Sequence, residues 1–144
     1  MPALSRYFIK IGLLYLVVAL LMGTIMRLQP IMNWSGQIQL LRPVYLHLIF
    51  IGWVTQLIMG VGYWMFPKLS REKPRGNERI GWAVLILLNT GLILRSISEP
   101  GILMSGTDTT RRTSFAWLLA LASMLLLFAG WLFIFNTWGR IKER

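Results

Sequence analysis

Four long apolar stretches dominate the chain: Phe8 to Met26, Val44 to Pro67, Ile80 to Ile97 and Phe115 to Trp138. Each is close to the roughly 20 residues that an α-helix needs to cross the hydrocarbon of a bilayer. Lipid offers no partners to backbone N–H and C=O groups, so a lone apolar stretch of this length must bond them internally, as a helix does. The pattern predicts an all-α integral membrane protein, a four-helix bundle forming a single membrane domain over residues 1–144. The second and fourth spans carry no formal charge, while Lys10 in the first and Arg95 in the third lie near enough to span ends to reach the headgroups.

Composition agrees. With 56% hydrophobic and 14% charged residues, the chain is too apolar for a water-soluble globule and far too apolar for disorder. Seven Trp, four Tyr, seven Phe and eight Met suit headgroup depth and helix contacts in lipid. The absence of cysteine excludes disulfide scaffolds, thiolate metal sites, iron–sulfur clusters and cysteine nucleophiles. A net charge of +10 would suggest nucleic acid in a soluble protein, but the basic residues lie almost wholly between the apolar stretches. Topology and anionic lipid headgroups account for them, and no nucleic-acid partner is expected.

If the spans alternate, one side of the membrane holds Arg6, Lys10, Lys68, Arg71, Lys73, Arg75, Arg79, Arg140, Lys142 and Arg144. The other holds Arg27, Arg42, Arg95, Arg111 and Arg112. The positive-inside rule then puts both termini in the cytoplasm of a cell whose inner membrane the chain spans, and makes the second span run inward. Nothing after Met26 resembles a small-residue cleavage site, which favours a retained first helix over a signal peptide. Pro30, Pro43, Pro67, Pro74 and Pro100 read as punctuation of loops and span ends. Between Leu28 and Arg42 the connection is apolar enough to lie along the interface, with Trp34 as its anchor. Between Ser98 and Ser114 it reads as a solvated connection, and Glu72, Glu78, Glu99, Asp108 and Glu143 are all expected in loops or tails.

Chemistry has few places to reside. The single histidine, His47, falls near the outer end of span two. An imidazole there is costly to desolvate and calls for a partner: heme iron, or more plainly a lipid headgroup, water or a neighbouring helix. Gly52, Gln56 and Gly60 recur at every fourth residue and share a helical face on which either a second helix or a flat macrocycle can approach the backbone. Gln56 adds an amide that needs partners in lipid, which favours a bundle-facing position. Asn89, Gly91, Ser123 and Gly130 give weaker packing signals of the same kind. Met22, Met26, Met59, Met65 and Met124 carry thioethers able to meet iron or copper, although methionine in a membrane helix is ordinarily filler. No pair of intramembrane carboxylates is expected for proton relay, a tetrahedral zinc site lacks ligands, and the basic loop Lys68 to Arg79 reads as solvated.

The stretch Arg42 to Leu69, RPVYLHLIFIGWVTQLIMGVGYWMFPKL, resembles the second transmembrane helix of heme-copper oxidase subunit I, the superfamily of cytochrome c oxidases and nitric oxide reductases. In that family a histidine near the outer end of this helix ligates the low-spin heme. His47 matches it in its run, depth and direction, and Gly52, Trp53, Gly60 and Pro67 look like the family's small-residue and closing-proline pattern. A looser similarity to the first four helices of the subunit extends over most of the chain. The resemblance implies a heme b axial ligand at His47, with Gly52, Gln56 and Gly60 beside it, and a part in respiratory electron transfer.

The chain also departs from the family. Its other heme and copper ligands are histidines of later helices, and here His47 is the only histidine. A complete oxidase is excluded. A sixth ligand would have to be a methionine of this chain, a residue of another membrane subunit, or His47 of a second copy in a homo-oligomer. The alternative expectation is a cofactor-free accessory or assembly subunit of a respiratory complex.

Overall fold

The structure is a computed structural model describing residues 1–69 and 76–141. The basic and proline-bearing stretch from Arg71 to Arg75 and the tail residues Lys142, Glu143 and Arg144 lie outside the described residues. Every regular element among the described residues is helical. Four helices are long and apolar enough to cross a membrane: α1 (Ala3–Met32), α2 (Gly36–Met65), α3 (Glu78–Met104) and α4 (Thr109–Trp138).

Most of these helices overrun the apolar stretches, because local capping and side-chain bonds carry the backbone further than hydropathy does. α1 continues past Met26 to Met32 and contains Pro30, which the sequence placed outside the helix. A proline inside a helix leaves the carbonyl four residues earlier without its donor. Here that carbonyl belongs to Met26, and Gln39 Nε2 donates to it at 3.1 Å. Asn33 then closes α1 in the left-handed conformation at φ 52°, and Trp34 N donates to Gln29 O at 3.2 Å. The expected interfacial connection therefore shortens to Asn33–Ser35, after which α2 begins as a 3₁₀ turn over Gly36–Leu41.

α2 continues as an α-helix over Arg42–His47, with Pro43 in its first turn, where no donor is needed. It then widens to a π-helix over Leu48–Thr55 and returns to α over Gln56–Met65. The π-helical segment was not foreseen from sequence. The solvated connection expected from Ser98 to Ser114 is also corrected. α3 extends through Pro100 to Met104 and α4 starts at Thr109, its first turn capped by Asp108 Oδ1 accepting from Arg111 N at 3.0 Å.

The helices pair as two antiparallel hairpins. α1 lies along α2, with Phe8 against Gly60, Tyr15 against Gly52 and Tyr45 against Gly23. α3 lies along α4, with Gly91 against Ala122 and Gly101 against Phe115. The hairpins meet mainly through α2 and α3, where Leu92 contacts Gly52 and Tyr63 contacts Gly81, with Tyr7 of α1 against Trp82 of α3 and Phe133 of α4 against Tyr63 of α2 adding to the contact. At the end of the molecule that holds the termini, Leu4, Phe8, Met59, Tyr63, Val84, Leu85, Leu88 and Ala129 form the larger apolar cluster. Toward the far end, Ala19, Val44, Leu48 and Leu92 form a smaller one.

Candidate functional site

His47 closes the first α-helical segment of α2, one residue before the π-helix. Its Nδ1 lies 2.7 Å from the carbonyl oxygen of Pro43, one turn earlier. A carbonyl has no hydrogen to give, so Nδ1 donates, and in the neutral form of the ring this tautomer carries the lone pair on Nε2. Glu99 Oε2 lies 3.4 Å from the same Nδ1. Because that N–H is aimed at Pro43, the carboxylate acts on the ring as an electrostatic neighbour, and Oε2 takes no hydrogen bond of its own.

The other carboxylate oxygen is firmly held. Glu99 Oε1 accepts from Arg95 Nε at 2.7 Å, one turn earlier on α3. Arg95 Nη1 in turn donates to Ser123 Oγ on α4 at 3.2 Å. A line of four polar side chains thus crosses α2, α3 and α4 toward the far end of the molecule. The side chains of His47 and Glu99 keep only 24% and 10% of their accessible surface. A carboxylate so enclosed is tolerated because a guanidinium pairs with it.

This corrects the placement of every acid in loops or tails. Glu99 stands within α3, and Arg95 is engaged with Glu99 and Ser123. One signal in the sequence would have found the pair: Arg95 and Glu99 are four residues apart, the spacing that brings two side chains together on a helix.

Gly52 and Gly60 both serve close packing. A Cβ at Gly52 would meet Tyr15 at 2.9 Å and Leu92 at 3.0 Å, and one at Gly60 would meet the Phe8 Cβ at 2.8 Å and the Ser5 carbonyl at 3.3 Å. Side chains of α1 therefore fill the space beside these glycines. Gln56 between them is fully buried, and neither of its amide atoms has a hydrogen bond among the described residues. The π-helix alongside is bridged by Thr55 Oγ1, which donates to Phe50 O at 2.8 Å, five residues back.

The methionines are dispersed. Met59 belongs to the larger cluster, Met22 packs against the smaller one beside Val44 and Leu48, and Met65 and Met124 are exposed. No group of three or more His, Asp or Glu side chains is placed to hold a bare metal ion among the described residues.

A second polar assembly, unforeseen from sequence, closes the terminal end. Asn136 Nδ2 donates to Tyr63 Oη at 2.8 Å, and Asn136 Oδ1 accepts from Asn77 N at 2.9 Å. Arg140, assigned from sequence only to the basic face, is buried. It donates to the carbonyls of Tyr63, Phe66 and Pro67 at 3.1, 2.7 and 3.0 Å. These carbonyls end α2, where a helix lacks donors and favours a cation. Compared with family models, curated protein sequences and solved structures, the chain matches none.

Proposed function

We propose that the chain is a multi-pass membrane protein, related to heme-copper oxidase subunit I, that holds heme b through His47 Nε2 and takes part in respiratory electron transfer. The observation that carries this reading is the Nδ1–H contact to Pro43 O with Glu99 behind it. Metal-binding imidazoles are oriented in this way, their second nitrogen donating to a carbonyl or carboxylate so that the ligating one keeps its lone pair. The residues present fit one axial position. Since α1 fills the space beside Gly52 and Gly60, His47 would hold the group and those glycines would support the site by packing α1.

Bound there, heme would supply one-electron chemistry. The chain's own residues would orient the imidazole through Pro43 and Glu99, keep Glu99 in place through Arg95, and tie the assembly to α4 through Ser123. A further ligand would come from a methionine of this chain, a residue of another membrane subunit or His47 of a second copy. Both termini would face the cytoplasm and the membrane would be the cell inner membrane, as the distribution of basic residues favours.

A second reading, a cofactor-free accessory or assembly subunit, is favoured by one feature. The line from His47 through Glu99 and Arg95 to Ser123 already joins three helices without any ligand. The deciding measurement is a dithionite-reduced minus oxidised spectrum of protein produced with heme available, followed by pyridine hemochrome quantitation. A b-type band lost in His47→Ala, with folding retained, supports the heme reading. In Glu99→Gln the band should persist with a shifted midpoint potential, because the charge behind the imidazole changes while the ligand stays. Absence of heme from the wild type, alone and with its membrane partners, would leave the accessory reading.

A further inference from the structure

Between the last turns of α1 and the start of α2, on the end of the molecule away from the termini, lies a half-open cavity of about 730 Å³. Two arginines, Arg27 and Arg42, line it. Neither has an ion pair or a side-chain hydrogen bond among the described residues. The acids described by the structure are Glu78, Glu99 and Asp108, and none lines the cavity. Its walls are completed by Leu20 and Leu46, apolar side chains that are 56% and 42% exposed on the outer surface of the helices. Tyr45 also lines it, its ring against α1 at Gly23, where an added Cβ would lie 3.0 Å from Cε2.

We infer that this cleft binds an anionic phospholipid, its phosphate between Arg27 and Arg42 and an acyl chain against Leu20 and Leu46. Two guanidinium groups without carboxylate partners at the end of two membrane spans attract a counter-charge, and phosphate matches their planar donor geometry. Basic pockets between membrane helices recognise lipid headgroups in this manner. The apolar wall selects a lipid over a free anion, since inorganic phosphate gains nothing from exposed leucines. The cavity is opened by the sequence itself. Pro30 frees the Met26 carbonyl, and Gln39 crosses from α2 to occupy it, fixing the separation of the two backbones at the cavity rim.

The test is native mass spectrometry of the full chain released from bilayers of equal phosphatidylglycerol and phosphatidylcholine. The wild type should retain phosphatidylglycerol selectively. Arg27→Gln/Arg42→Gln should lower that selectivity by about tenfold or more, as loss of two headgroup charges predicts. Arg111→Gln/Arg112→Gln, which removes two arginines from the same side of the membrane outside the cleft, should leave it unchanged. Leu20→Trp, at an exposed position that fills the apolar part of the cleft without touching charge, should lower retention while thermal unfolding stays as in wild type. Equal losses in both arginine pairs would overturn the inference in favour of general surface attraction. Full retention in Leu20→Trp, or displacement by millimolar inorganic phosphate, would overturn it in favour of a simple anion site.

Discussion

Gly60 and Gly130 are the same residue type in two helices long enough to cross a membrane, yet the structure uses them differently. At Gly60 an added Cβ would meet the Phe8 Cβ at 2.8 Å and main-chain oxygen of Ser5 at 3.3 Å, neither of which is the loose end of a side chain. At Gly130 a Cβ would meet nothing within 4 Å. Gly60→Ala should therefore cost about 1–3 kcal/mol through forced separation of α1 and α2. Gly130→Ala should be neutral or stabilise by up to about 1 kcal/mol, the difference in helix propensity. Thermal unfolding of both variants in one detergent compares them directly. The residues that matter most were unevenly legible. His47 stood out because it is unique in the chain. Glu99 did not, because hydropathy ended the third span at Ile97; its four-residue spacing from Arg95 was there to be read, and only the meeting of α2 with α3 shows that an imidazole flanks it as well.

At the scale of elements, the π-helix at Leu48–Thr55 decides which face of α2 His47 occupies. Nine positions separate His47 from Gln56, and in an unbroken α-helix that is half a turn away from a whole number of turns, so the two would point to opposite sides. Bonding to the fifth residue back in place of the fourth takes up extra residues per turn and changes this phase. Deleting Ile51 should let α-helical winding resume. The Gln56–Met65 segment is locked to α1 through Phe8 and to α3 through Tyr63, and loss of one residue together with the return to fourth-residue bonding offset one another, so His47 should keep its face toward Glu99. The natural chain has no cysteine, so His47→Cys/Glu99→Cys can be joined by a short thiol cross-linker. Cross-linking should succeed in the full-length background and persist when Ile51 is removed, and its loss in the deletion would show that the wide turn does not absorb one residue. Helix existence was legible from apolar length, whereas the π-helix was not, since its residues satisfy α and π bonding equally well taken alone.

At the scale of the whole molecule, the two hairpins are held together most firmly at the terminal end. There the larger apolar cluster, the Asn136 bonds and Arg140 draw α2, α3 and α4 onto one another. Arg140 is only 1% exposed, and its bonds to three carbonyls tie the end of α4 to the end of α2. Arg140→Met keeps much of the length but removes these donors, and should destabilise the protein by at least about 1.5–3 kcal/mol, the contribution of hydrogen bonds to a charged group. Lys68→Met at the same end, where the side chain is exposed, should change stability by no more than about 0.5 kcal/mol. Parallel thermal melts, with heme content measured on each sample, would separate loss of hairpin docking from loss of the His47 site.

The sequence by itself determined that this chain is helical and that four segments are able to cross a membrane. That outcome is local, because any apolar segment of about 20 residues in lipid must bond its own backbone. It also marked Gly52, Gln56 and Gly60 as one face open to close approach by a helix or a flat macrocycle, since spacing along one helix is a local property too. Only the tertiary structure decided that α1 fills that face, that His47 faces Glu99, that Arg140 ends α2, and that Arg27 and Arg42 share a cleft. Each of these depends on the register between segments distant in sequence, and register follows from the fit of particular side chains across helices, which hydropathy averages away.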